Sequence, residues 1–112
     1  MDPGAWLSRL RHDLVKHLLW PARDRAEMGG SPAPGELVPR LIDSEGRPVE
    51  AGVLWAGLRA DAPAGLSLDA FDAALGRALA SARAGDVAGV LAFEAEVEAL
   101  ARLVRSLKKG GG

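Results

Sequence analysis

"SLDAFDAALGRALASARAGDVAGVLAFEAEVEALARLVRSLKK", residues 67–109, decides the fold. Leu68, Phe71, Leu75, Ala78 and Ala82 recur at spacings of three and four, and so do Val90, Phe93, Val97, Leu100, Val104 and Leu107. That spacing lines each set along one stripe of an α-helix. Between the two sets, Gly85 can stop the first helix and Asp86 can cap the second, which leaves almost no loop. Ser67 reads as the N-cap of the first helix, with Asp69 and Asp72 at the positive end of its dipole. In the second helix Glu94, Glu96 and Glu98 precede Arg102, Arg105, Lys108 and Lys109, again matching the dipole. Glu98 and Arg102 add an i,i+4 pair in the favourable order. Two apolar stripes joined by so short a turn predict an antiparallel helical hairpin.

Upstream, the pattern is less regular. "PVEAGVLWAGLRAD", residues 48–61, predicts a helix opened by Pro48 and stopped before Pro63, with Ala51, Leu54, Trp55 and Leu58 on its apolar face. Gly52 and Gly57 each cost it about 1 kcal/mol relative to alanine, so it needs tertiary support. "GGSPAPG", residues 29–35, is a turn-rich connector. Residues 36–49 favour a short helix or an irregular segment, because Pro39 weakens a central strand. A minor β-hairpin turning at Asp43–Gly46 is the alternative.

The first helix starts from Asp2 as N-cap, with Pro3 where its missing N–H costs nothing. Leu7, Leu10, Leu14 and Leu18 form its stripe, Trp6 and His17 lie along one edge, and Leu19 and Trp20 fall away toward solvent. Pro21 should kink or end this helix, leaving "ARDRAEM" as a short extension. The sum is an all-α single domain over residues 1–112, a small helical bundle built around the C-terminal hairpin, with a disordered tail at 110–112.

Composition narrows the function. The chain has 112 residues, enough to bury roughly two-thirds of its unfolded surface as one domain. Cysteine is absent, which removes disulfides, thiolate metal sites and thiol catalysis. "MDPGAWLSRL" lacks the basic start and apolar core of a signal peptide, and no apolar run reaches membrane-spanning length, so a cytoplasmic protein that does not engage a membrane is expected. Residues 1–28 carry a net +1, residues 29–65 a net −2, and the remainder is neutral. Without a basic excess or stacking aromatics, nucleic acid is a disfavoured partner. No serine sits in a nucleophile-elbow context, threonine and tyrosine are missing, and no glycine-bearing segment carries a P-loop lysine. A non-catalytic protein without cofactor or metal is the expectation.

His12 and His17, five residues apart, should point about 140° away from one another on a regular helix, too far round to share a ligand. Arg9, Asp13 and His17 instead suggest an i,i+4 ladder. "RHDLVKHLL", residues 11–19, resembles the H-box of sensor histidine kinases. That resemblance implies phosphotransfer at His12 by a separate kinase, since no ATP-binding motif follows. Residues 48–83 are similar to the second and third helices of winged-helix DNA readers, which implies DNA binding through a helix-turn-helix-like segment. Asp69 and Asp72 at the start of the would-be recognition helix oppose phosphate contact. The favoured expectation is therefore a protein–protein interaction or regulatory module. Its partner is another protein or a second copy of itself in a homodimer. The contact surface is placed on the first helix, at Trp6, His12, Lys16, Leu19 and Trp20, where apolar side chains exceed what one packing face needs.

Overall fold

The helical hairpin forms in the computed structural model, which describes residues 2–110 and side chains through Leu107. Its first arm is α4 (Asp69–Ala84) and its second is α5 (Val87–Leu91) followed, after Ala92 alone, by α6 (Phe93–Gly110). Ala92 keeps right-handed helical angles, so the second arm is one nearly continuous helix. Gly85 takes the left-handed conformation at φ 73° and ψ 23°. Its N–H meets the Ala82 carbonyl at 3.2 Å, and the Asp86 N–H reaches back to Ser81 at 2.8 Å. Together these are the two bonds of a Schellman motif. Asp86 then caps α5 by accepting from the Gly89 N–H at 3.1 Å.

The turn is so tight that Gly89 has no room for a side chain. A Cβ there would overlap the Ser81 hydroxyl and the Asp86 carboxylate and would sit 2.8 Å from Ser81 Cβ. At the other end of α4, Ser67 does not cap the helix. The chain enters it through Leu68 with no side-chain cap, and the acids Asp69 and Asp72 serve the first turn instead. Of the expected tail at 110–112, Gly110 still belongs to α6, and residues 111–112 lie outside the described residues.

The N-terminal helix departs further from expectation. It begins as α1 (Pro3–Leu10), with Asp2 accepting from the Ala5 N–H at 3.0 Å. A π-helical turn follows at Arg11–Val15, and the helix then continues as α2 (Lys16–Met28) until Gly29 at φ 76°. Pro21 therefore does not end it. The missing proline N–H costs about 3 kcal/mol in a helix interior. Burial of Leu18, Leu19 and Ala22 where α2 packs on α5 offsets that, at about 1.5–3 kcal/mol for each leucine.

The connector is tied to α2 by Arg25, whose Nε and guanidinium nitrogen bind the two oxygens of Glu36 at 2.6 and 2.5 Å. Residues 36–49 adopt the alternative geometry, a β-hairpin rather than a helix. β1 (Leu41–Ile42) pairs antiparallel with β2 (Pro48–Val49) in the register Leu41–Val49 and Ile42–Pro48. Asp43 sets the turn, since its Oδ1 accepts from the N–H groups of Glu45 and Arg47, both at 2.9 Å, and Gly46 takes φ 79°. Pro48 is thereby held in a strand, and α3 (Ala51–Ala60) starts three residues later than the sequence suggests.

α1 lies on α6, α2 on α5, and α3 against the π turn. Two buried tryptophans lock α3 in place. Trp6 Nε1 donates to the Leu58 carbonyl at 2.8 Å, and Trp55 Nε1 donates to Asp72 at 2.7 Å. Trp55, Phe71 and Phe93 stack as a tilted row, with centroids 5.0 and 5.2 Å apart, and so join α3, α4 and α6. No described helix is long and apolar enough to cross a membrane.

Candidate functional site

The π turn decides which side chains meet. Its i→i+5 bonding takes up one extra residue, so residues five apart come onto one face instead of diverging. Leu10 and Val15 are both buried, as are Leu14 and Leu19. His12 and His17, another pair five apart, line the same cleft. One local deviation thus corrects two expectations at once. Leu19 is 3% exposed and belongs to the core, not to a contact surface, and the histidines do not face apart.

Trp6 also leaves the expected surface. It is fully buried, because α3 covers its ring and offers the Leu58 carbonyl to its N–H. The remaining three candidates, His12, Lys16 and Trp20, lie at the surface or half-buried. Trp20 is 55% exposed, with the Lys16 ammonium 5.4 Å from its ring centroid in a cation–π arrangement. His12 Nδ1 donates to Asp13 at 3.0 Å, and its other nitrogen has no hydrogen bond among the described residues. The expected ladder is only half present. Arg9 meets Asp13 at 3.5 Å but spans to Asp61 at 3.4 Å, and His17 forms no hydrogen bond among the described residues.

Among the described residues two depressions flank this helix at Lys16 and His17, which line both. The first is a cleft of about 590 Å³ between the π turn, the β-hairpin and α3, with Val49, Val53, Leu54 and Leu58 along its apolar side and Ile42 at its margin. The second is a shallower groove of about 240 Å³, formed by Trp20, Pro21 and Asp24 of α2 with Glu36, Val38 and Arg40 of the connector. Val38, Arg40, Ile42 and Val53 were not among the candidates expected from sequence. The strand alternation that turns Leu41 inward and Ile42 outward is the one signal that points to any of them, and it becomes readable only once the hairpin is chosen.

Electrostatically, the acids here are mostly engaged. Asp13 faces Arg9 and His12, Asp43 is held by backbone N–H groups and Arg47, and Glu36 is clamped by Arg25. The Arg25 hydrogen bond, with a smaller contribution from the Ala33 N–H, pulls the Glu36 carboxyl below its ordinary value. Partial burial, then the neighbouring charges of Lys16 and His12, lower His17, and Asp13 opposes them. His17 is thus biased toward neutral imidazole near pH 7. Among the described residues Lys16 and Arg40 form no ion pair, and no group of three or more His, Asp or Glu side chains is disposed to hold a metal ion.

The helix-turn-helix-like segment keeps the acidic opening seen in the sequence. Arg59 of α3 pairs with Asp69 at 3.4 Å and Asp72 at 3.3 Å, so its charge is engaged within the fold. No protein-family model matches the chain, and neither a curated protein nor a solved structure is similar enough to count as a relative.

Proposed function

We propose that the protein is a non-catalytic interaction module that docks a partner protein across the exposed side of its first helix. The carrying observation is the distribution of exposed apolar side chains. Of the six large hydrophobic residues exposed among those described, Trp20, Val38, Ile42 and Val53 line the two depressions that meet at Lys16 and His17. Tryptophan and arginine are enriched among the residues that carry most of the energy of a protein interface, and a polar, charged rim commonly surrounds such an anchor. In the Trp20 groove Lys16 and Arg40 outnumber Asp24, the one lining acid that forms no ion pair among the described residues, which favours a partner segment pairing an apolar side chain with a carboxylate. The contact residues on this reading are His12, Lys16 and Trp20, joined by Val38 and Arg40.

Quantitative affinity capture with the wild-type chain, a Trp20→Glu variant and a Leu103→Glu control tests it. Leu103 is also exposed but lies on α6 and lines neither depression. A partner held by wild type and by the control, and released by Trp20→Glu, is the expected result. Light scattering run in parallel identifies a second copy of the chain as that partner if mass doubles. Equal retention by all three chains overturns the reading.

A further inference from the structure

The cleft beside the π turn has a construction that the Trp20 groove lacks. Both of its helical walls are locally suboptimal. On one side a π turn replaces regular α-helix, a distortion that recurs at functional sites. On the other, Gly57 sits in the interior of α3, where glycine costs about 1 kcal/mol relative to alanine. Packing does not require that glycine, because a Cβ at position 57 would meet no heavy atom within 4 Å. Gly52 and Gly76 are equally open, but neither borders this space. Gly57 does, and its missing side chain keeps the cleft wide.

The lining is divided by chemistry. Val53 and Leu54 offer an apolar surface from α3, backed by the buried Leu58, while Lys16, His12 and His17 line the wall given by the first helix. The cleft's own carboxylates are already bound, Asp13 by Arg9 and His12 and Asp43 by its turn, which leaves Lys16 and His17 without a carboxylate partner among the described residues. A volume of about 590 Å³ lies within the ordinary range for small-molecule sites. We propose that this cleft binds an amphiphilic monocarboxylate, its carboxylate on Lys16 and the two imidazoles and its acyl or aryl body against Val53, Leu54 and Leu58. The cleft shares Lys16 and His17 with the Trp20 groove but has its own apolar wall on α3, which the groove does not use.

Titration calorimetry with decanoate below its micelle concentration tests this, with decanol and a decyl quaternary ammonium salt as controls. Decanoate should bind at one saturable site, at least tenfold tighter than either control. Lys16→Ala should weaken decanoate at least tenfold, and Gly57→Leu, which fills the cleft from an open helical position, should abolish binding without lowering the melting temperature. Leu103→Glu should leave decanoate affinity unchanged, and Gly57→Leu, which lies outside the Trp20 groove, should leave partner capture unchanged, so the cleft and the docking groove can fail separately. Equal binding of all three amphiphiles, or decanoate binding that survives Gly57→Leu in a folded protein, overturns the proposal.

Discussion

The C-terminal hairpin and the N-terminal helix with its β-hairpin use apolar residues in opposite ways. In α4–α6 nearly every large apolar side chain is spent on the core, and Leu103 is the one large hydrophobic residue left exposed among those described. Between residues 20 and 53, by contrast, Trp20, Met28, Val38, Ile42 and Val53 all face solvent. The hairpin is regular, capped at its turn and closed by an aromatic row. The first helix carries a π turn and an internal proline and borders two depressions. Local departures from good helix practice accumulate where side chains are left available, and this is the region in which binding is to be sought.

The contrast breaks most severely at Trp6, the residue that joins the irregular half to α3. Trp6→Ala should cost about 3–5 kcal/mol in denaturant unfolding, through the cavity it leaves and the lost cover for α3. Trp6→Phe refines the point. It keeps most of the ring but leaves the Leu58 carbonyl without its indole donor, for a loss of about 1–3 kcal/mol. If both variants are as stable as wild type, Trp6 does not lock α3 in place. Next in size is Gly89→Ala, which attacks the regular half at its tightest point. Overlap with Ser81 and displacement of the Asp86 cap should cost about 1–3 kcal/mol, although alanine is the better helix former. A stabilised Gly89→Ala protein would mean that the turn has slack.

How much could be read from sequence divides along the same line. The hairpin was legible because its signals agree: stripe period, a left-handed glycine, an N-cap and charge order all point to one geometry. The first helix was readable as a helix, yet its phase was not. The doublets Leu14–Val15 and Leu18–Leu19 are the trace of the π turn, a stripe two residues wide where one would serve, but regular periodicity assigns Leu19 to solvent. Trp6 was misplaced for a different reason. Its burial depends on a carbonyl 52 residues away, which no local pattern encodes. The hairpin at 41–49 is so short that Pro39 and Pro48 obscure it, and with it Val38, Arg40, Ile42 and Val53, the part of the candidate site that sequence reasoning missed.

Acidification sharpens the comparison further, because the groups lowered or clamped outside the hairpin are His17 and Glu36. A histidine whose folded pKa lies below 6.5 is charged more readily in the unfolded chain. Its contribution is therefore neutral above pH 6.5 and becomes destabilising as the pH falls from there through the folded value. Glu36 acts lower down. Its depressed pKa stabilises the fold above about pH 4.5, and that contribution is lost as the pH falls through the folded value. Denaturation midpoints measured from pH 8 to 3 should fall first with His17 and again with Glu36. His17→Leu should remove the first step only. A first step that persists in that variant assigns it to another group.

The smallest effect on stability is expected where the effect on binding is largest. Trp20 contributes little to the core, so Trp20→Ala should change unfolding free energy by less than about 0.5 kcal/mol. The same variant reports on the surface optically. Trp6 and Trp55 are buried, so acrylamide quenching of the native protein should come almost wholly from Trp20 and disappear with it. Strong residual quenching in Trp20→Ala would mean that Trp6 or Trp55 reaches solvent, and the division between a closed hairpin and an open N-terminal face would fail with it. Quenching that vanishes while stability holds isolates Trp20 as a side chain the fold can do without, and such a side chain is available to a partner.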